Sequence, residues 1–347
     1  MGRGNISVAV IGKDGRGWSI DQDRAHTIRL LKESGFVVQS NPLLASHIFC
    51  VWLDMLLRPS FKWVLWLRKY AGKKVVGAVT NDITQQPEKI PLLQKNLDVC
   101  IAPSKKVHDF LQGHGIQTVL IPFSVGNNVF RPLDLPKRSL AQQLGVPFDE
   151  IEGKVIIGSF QRDTQGADLV TPKWQKNPEL IIQVAKRLPT EKFVLLFAGP
   201  RRHYVVKRCQ DEGLPYVYVG DPQFILRGED DYPQNILDQE RMNLLYNLID
   251  IYLVSSKSEG GPKAVLEGAL TEAVVISTNV GLAPDMLHAD MVYDAEHPEV
   301  AVELIQKYID DRNAFDEQVQ YSVNHLQEAF DPERLKKSYE EVLRDEL

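Results

Sequence analysis

Glu259 and Glu267 stand with seven residues between them in the stretch DIYLVSSKSEGGPKAVLEGALTEAVVISTNVGLAPDML, residues 250–287. Gly260, Gly261, Pro262 and Lys263 follow the first glutamate directly. A glycine pair lets the backbone come close to a ligand. If a helix begins at Pro262, the N–H groups near Lys263 and Ala264 lack partners and favour an anion such as a phosphate. A carboxylate beside such an anion is electrostatically out of place unless it accepts hydrogen bonds from hydroxyl groups. Sugars and ribose supply hydroxyls, so one nucleotide sugar satisfies the turn, the helix end and both glutamates. On the residues alone, an ordinary turn with Glu259 solvated and Glu267 on a wet helix face fits as well.

The elements needed to hold this turn are legible on either side. Ile251 to Val254 is a short apolar, partly β-branched run, which predicts a buried strand. Ser255 to Gly261 is small and polar, as expected of the loop at that strand's carboxyl end. Pro262 suits a first helical position, and Ala264, Val265, Leu266, Ala269 and Leu270 follow with helical spacing. Val274 to Ser277 is the next strand. The result is a βαβ unit, and open parallel sheets bind ligands at the carboxyl ends of their strands.

With the following VGLAPDML, this pattern resembles the signature of the retaining GT-B glycosyltransferases of family 4. The resemblance implies that Glu259 lies by the donor sugar and Glu267 holds the ribose. It also implies that an arginine after the first strand of the second domain and a lysine before the next helix hold the donor diphosphate. Arg162 and Lys176 match those positions; the intervening segment is longer than usual, which makes Lys173 a rival for the lysine. Gly-Gly-Pro replaces the commoner Gly-aromatic-Gly, Asn81 stands where many members have a histidine, and PFSVGNNVFRP matches the turn out of the first domain at Phe130 and Pro132. The implied fold is α/β, two Rossmann-like doubly wound domains facing a cleft. The implied enzyme is a metal-independent, hexosyltransferase-like glycosyltransferase with no cofactor beyond a UDP- or GDP-linked donor. A nucleotide-sugar epimerase of the same architecture and a non-catalytic nucleotide-sugar binding protein are the rival readings.

A chain of 347 residues with 44% hydrophobic content suits two soluble α/β domains. The expected division is an acceptor-side domain over 1–133 and a nucleotide-sugar domain over 134–347, with 133–153 as linker and the final helices in the second domain; in the fold the resemblance implies, the last helix often crosses back to the first domain, and the sequence leaves that open. No apolar stretch reaches membrane-span length and Ile6–Ile11 is too short for a signal segment, so the expectation is a cytoplasmic protein. Cys50, Cys100 and Cys209 lack metal-ligand spacing and are expected to be buried thiols. Early in the chain, Gly12, Gly15 and Gly17 follow a strand and precede a helix, a candidate contact for phosphate or sugar. The acidic ribose partner of a nicotinamide fold is missing some twenty residues on, where Ser40 and Asn41 stand, which excludes a dehydrogenase. Asp21 and Asp23 are read as helix-start acids rather than metal ligands.

Charge divides unevenly. Residues 1–133 hold 17 Lys and Arg against 9 Asp and Glu, and the remainder holds 23 against 37. A basic first half suggests that it meets something anionic, or else that the two halves simply attract each other across a cleft. The resemblance, through members that often work at the inner membrane face, implies an acidic lipid or lipid-linked glycan as acceptor with peripheral membrane contact, and nucleic acid comes second. The run Phe61–Tyr70, with Trp63, Trp66, Lys62, Arg68 and Lys69, followed by Lys73 and Lys74, is read as a helix packed on the sheet, with a membrane-surface helix as the alternative.

Overall fold

The structure is a computed structural model that describes residues 6–13, 15, 19–56, 58–123, 125 and 129–344. The chain forms two compact units, Met1–Ser124 with Gln327–Leu347, and Val125–Leu326.

The first unit contains strands β1 (Ser7–Ile11), β2 (Val37–Gln39), β3 (His47–Cys50), β4 (Lys74–Ala78), β5 (Val99–Ala102) and β6 (Thr118–Leu120). They pair in the order β2-β1-β3-β4-β5-β6, all parallel. The second unit contains β7 (Val155–Ser159), the short antiparallel pair β8 (Thr164–Gln165) and β9 (Asp168–Pro172), then β10 (Phe193–Ala198), β11 (Tyr216–Val219), β12 (Ile251–Val254), β13 (Val274–Thr278) and β14 (Val292–Tyr293). Its main sheet runs β11-β10-β7-β12-β13-β14, again all parallel. Helices on the two faces explain the sequence pattern. A strand covered on both faces has no wet side, so FVLLFA of β10 and VVIST of β13 are buried throughout rather than alternating.

Chain order in the second sheet fixes where a ligand fits. From β7 the chain steps one way to β10 and β11, then crosses to β12, β13 and β14 on the other side. The crevice beyond the carboxyl ends of β7 and β12 is therefore the topological switch point, where doubly wound sheets hold their ligands. In the first sheet the corresponding point lies between β1 and β3.

Several sequence expectations are corrected here. The expected 133–153 linker is two helices of the second unit, Lys137–Leu144 and Phe148–Ile151. Leu140, Ala141 and Leu144 are buried on one side, and Gly145 ends the first helix in the left-handed conformation at φ 72°. Backbone N–H groups of Arg131 and Leu133 already donate to Asn243 and Asn247, so the second unit begins near residue 125 rather than 134. The last helix, Pro332–Arg344, belongs to the first unit, which is the crossing that the sequence left open. Tyr339 stacks on Phe49 of β3, and Lys74 donates to the Val342 carbonyl. The long polar stretch 221–239 contains the helix Pro222–Arg227. In the helix Lys62–Ala71 only Val64 and Leu67 are fully buried; Trp63, Trp66 and Tyr70 stay exposed, so it is less packed than its near-continuous apolar run suggests. All three cysteines are free and buried.

Candidate functional site

The site in the second unit is built from the loops after β7 and β12. Beyond β7 the chain runs through Gln161, Arg162 and Asp163 and then detours through the β8–β9 pair. This hairpin is the extra length seen in the sequence, and it returns the chain to its start: Lys173 N donates to the Asp163 carbonyl at 2.7 Å. A 3-10 turn, Trp174–Lys176, follows, and Asn177 adopts φ 45°, a left-handed conformation that asparagine tolerates better than most residues. The helix Pro178–Ala185 begins there.

Side chains and backbone tie this turn to the loop after β12. Gln161 Nε2 and Ser255 Oγ both donate to the Lys176 carbonyl, at 3.1 and 2.8 Å. Lys257 N donates to the Gln175 carbonyl at 2.8 Å. The Lys176 ammonium, so held, forms an ion pair with Glu259, whose side chain is only 15% exposed. The Ser256 hydroxyl lies 2.9 Å from Glu259 Oε1 and 3.0 Å from Gln161 Oε1. Glu259 is therefore fixed by a cation and a hydroxyl rather than solvated.

Lys173 lies in the same electrostatic field. Its ammonium is pushed below the ordinary lysine range by burial first and then by repulsion from Lys176 and Arg162, while Glu259 pulls the other way. Lys173 and Lys176 were alternatives in the sequence, but the hairpin brings both beside Arg162 and Glu259. Three cations sharing one carboxylate leave a positive excess at the switch point, suited to a diphosphate.

The helix Lys263–Leu270 starts after the Gly260–Gly261 turn, with Pro262 at its cap rather than at its first helical position. No side chain caps this end. The turn is braced from beneath by Gly281 at φ 52°, where a Cβ would sit 2.8 Å from Pro262 Cδ and 3.0 Å from the carbonyl oxygens of Glu259 and Gly260. Only a glycine provides both the left-handed backbone and this approach. Thr278 Oγ1 adds a 2.6 Å bond to the Ser256 carbonyl.

Glu267 points from this helix into aromatic surroundings. Tyr246 OH donates to Glu267 Oε2 at 3.0 Å, and the Tyr246 ring packs against Tyr252 and Phe160 with centroids 5.2 Å from each. Burial raises the Glu267 carboxyl above the usual range, opposed by the Tyr246 hydrogen bond and by Lys263 one turn earlier. A buried carboxylate with one tyrosine partner retains acceptor capacity for ligand hydroxyls.

Next to Arg162, Asp163 is buried, and buried Arg202 attracts it without a hydrogen bond between them. Asp163 Oδ2 accepts from Val205 N at 2.9 Å, across from its own loop, near the start of the helix His203–Glu212. Burial pushes the Asp163 carboxyl up to about 6 despite the attraction of Arg202, the largest fully buried side chain. The Arg202 guanidinium sits 5.1 Å over the Phe197 ring. Sequence inspection missed Gln161, Ser256, Tyr246 and the Asp163–Arg202 pair, because each acts through a neighbour distant in the chain.

In the first unit, Gly12 follows β1 at φ 97°, and a Cβ there would meet Val51 Cγ2 at 3.0 Å and Trp52 N at 3.3 Å. It lets the loop after β1 pass close to the end of β3. Gly15, at φ 73°, has open space around it, and its N–H donates to Asp21 at 3.3 Å. Gly17 lies outside the described residues, as do Ser124 and Gly126. Asn81 donates to Asp54 at 2.5 Å, and Asp54 also pairs with Lys89. Among the described residues no three His, Cys, Asp or Glu side chains gather as a set of metal ligands. Among them, too, no helix is long and apolar enough to cross a membrane.

Residues 172–325 match the family model for glycosyl transferases group 1. No curated protein sequence matches the chain. Among solved structures, Alr3699/HepE of Anabaena, in complex with UDP and glucose, aligns at a TM-score of 0.73 and 13% identity, covering 98% of this chain and 100% of that one. Sucrose-phosphate synthase from Thermosynechococcus elongatus aligns at 0.72 and 14% identity, covering 98% of each chain. An α,α-trehalose-phosphate synthase (UDP-forming) from Burkholderia vietnamiensis aligns at 0.63 and 10% identity, covering 92% of this chain and 75% of that one. The chain thus has the two-domain Rossmann-like GT-B fold.

Proposed function

We propose that the protein is a retaining glycosyltransferase of family-4 type that moves a sugar from a UDP- or GDP-linked donor to an anionic or lipid-linked acceptor. The observation that carries the reading is the gathering of Arg162, Lys173, Lys176 and Glu259 at the switch point of the second sheet, with Glu267 buried on the helix that follows. Arg162, Lys173 and Lys176 neutralise the donor diphosphate, aided by the amino end of the helix Lys263–Leu270. The bond from the sugar's anomeric carbon to the diphosphate breaks as charge grows on the leaving oxygen, where these cations act in place of a divalent metal. The acceptor oxygen bonds to the same face of that carbon, and its proton passes to the departing phosphate. Glu259 accepts from donor-sugar hydroxyls and Glu267 from the ribose.

Matches to UDP-bound and UDP-forming proteins support a nucleotide-sugar donor. The acceptor reading is supported by the excess of cations over carboxylates in residues 1–133. Exposed Trp63, Trp66 and Tyr70 support a peripheral membrane contact. The test is calorimetric titration with UDP and GDP, followed by release of nucleoside diphosphate from UDP- and GDP-sugars with chelator present. Binding of one diphosphate and chelator-resistant release that rises with acceptor extract are expected. An epimerase would interconvert the sugar without release, a mere binder would do neither, and failure to bind either diphosphate overturns the reading.

A further inference from the structure

The cations of the first unit are not spread evenly over it. Arg68, Lys69, Lys73, Lys74 and Lys95 line one cavity of about 700 Å³, with Asp98 as the sole carboxylate in its wall. Lys73, Lys74, Asp98 and Gln117 stand at or just before the starts of β4, β5 and β6. The cavity therefore opens at the amino ends of these strands. The five-residue strand β4 separates it from the carboxyl edge by roughly 16 Å at about 3.3 Å per residue. A sheet of this kind presents its ligands at the carboxyl edge. This cluster of positive charge thus lies at the end of the sheet opposite to that edge.

The walls are constructed rather than adventitious. Arg68 is clamped on Asp98 through Nε and Nη2, at 3.1 and 2.8 Å, and donates through Nη1 to the Lys95 carbonyl; Asp98 in turn accepts from Val75 N at 2.7 Å. This network spends the one carboxylate on the one arginine. Lys73 donates to the carbonyls of Leu43 and Ala45, neutral partners that leave its charge uncompensated. Lys69 lies 5.1 Å from the Tyr70 ring centroid, and Lys95 is exposed. Asn96, only 4% exposed, also lines the cavity, and its side-chain oxygen lacks a hydrogen-bond partner among the described residues. A buried carbonyl oxygen left unsatisfied is costly, and a ligand that brings a donor removes that cost.

We propose that this cavity binds a phosphate ester that carries a free hydroxyl. Lys69, Lys73 and Lys95 hold the phosphate, and the hydroxyl donates to Asn96. The site is independent of the glycosyl-transfer reading. The same chemistry is offered by a soluble glycerol or sugar phosphate and by the headgroup of a phosphatidylglycerol bilayer.

The test uses the full chain and its K69Q/K73Q/K95Q variant, with glycerol 3-phosphate and inorganic phosphate titrated by calorimetry, and phosphatidylglycerol and phosphatidylcholine vesicles in sedimentation. Glycerol 3-phosphate should bind more tightly than inorganic phosphate, weaken as salt rises, and lose at least tenfold in affinity in the variant, whose melting temperature stays near that of the parent. Sedimentation with phosphatidylglycerol vesicles, competed by glycerol 3-phosphate, identifies the headgroup as the source; binding of the soluble ester without sedimentation identifies a soluble one. Equal affinity for the two phosphates removes the hydroxyl contact to Asn96 and overturns the proposal of a hydroxyl-bearing ester. Absence of binding to both the ester and the anionic vesicles, or full binding by the variant, overturns the proposal. UDP titration separates the two sites: the variant should bind UDP as the parent does, and failure of the parent itself to bind UDP would sink the donor reading and leave this one standing.

Discussion

The two units share a six-stranded parallel sheet but use its ends differently. In the second, the carboxyl edge gathers Arg162, Lys173, Lys176 and Glu259, tied together by the loops after β7 and β12. In the first, five cations line a cavity at the amino edge. At its carboxyl edge Asp54 is already paired with Lys89 and Asp82 with Lys106. A common sheet therefore does not dictate a common site. In the second unit Gln161, Ser255 and Lys257 are bonded across to the turn at 175–176, and these bonds hold the cations in place.

The comparison is tested most strongly at Glu259. Glu259→Gln keeps the side-chain shape but removes the charge that faces Lys176. Transfer should fall by at least about 100-fold, the scale set by losing one electrostatic contact to a reacting centre, while nucleoside diphosphate affinity changes little. A variant that transfers sugar at the parental rate would show that the carboxyl edge of the second unit is not the reacting edge. Glu267→Ala should act on the nucleotide itself. Losing a charged acceptor for ribose hydroxyls costs about 1.5–3 kcal/mol, so calorimetry should show roughly 10- to 100-fold weaker binding of nucleoside diphosphate, with or without sugar. Unchanged affinity removes Glu267 from the ribose.

Glycines sharpen the contrast through stability. Gly281 and Gly72 both adopt left-handed backbones, φ 52° and 61°. Around Gly72, which ends the helix Lys62–Ala71, nothing lies within 4 Å of an added Cβ, whereas at Gly281 that atom would press on Pro262 and on two carbonyl oxygens of the candidate site. Gly72→Ala should therefore cost only the conformational penalty, about 1–2 kcal/mol. Gly281→Ala should cost more in thermal unfolding and also weaken nucleoside diphosphate binding by displacing the Gly260–Gly261 turn. Equal losses in the two variants would mean that the turn yields freely and is not braced from below.

Much of this was legible because parallel sheets write themselves plainly. Buried strands such as Ile251–Val254 are continuous apolar runs, and Ser104 as a helix cap follows from its position before Lys105; its hydroxyl does accept from Val107 N. The two α/β domains followed from these alternations. The boundary between them was less clear, because Leu140, Ala141 and Leu144 give too short an apolar stripe to outweigh the prolines around it. At the site, the glutamates, glycines, Arg162 and both lysines could be singled out, but not the way they meet. That depends on a hairpin whose Thr164–Gln165 arm is only two residues long and on bonds between residues some 80–95 positions apart. The amino-edge cavity was not legible for a different reason: composition shows one basic half, and it carries no direction along a strand.

The smallest effect expected comes from Lys173, and it discriminates between the two edges by pH. Its ammonium is depressed below the ordinary lysine range by burial and by Lys176 and Arg162. A depressed lysine loses its proton earlier as pH rises, and the neutral amine no longer attracts a diphosphate. Affinity for nucleoside diphosphate should therefore be full at neutral pH and decline as pH rises through the depressed value, before an ordinary lysine would titrate. Lys173→Arg keeps the charge at all accessible pH values, so the alkaline decline should flatten in that variant while the neutral-pH affinity stays within a few-fold. One charged hydrogen bond limits the whole effect to about 1.5–3 kcal/mol, and Arg162 and Lys176 remain to share the phosphate, which leaves a change of only a few-fold per pH unit. Calorimetric titrations between neutral and alkaline pH, with parent and variant side by side, decide it. Parallel curves would place Lys173 outside the diphosphate site and leave Arg162 and Lys176 as its cations.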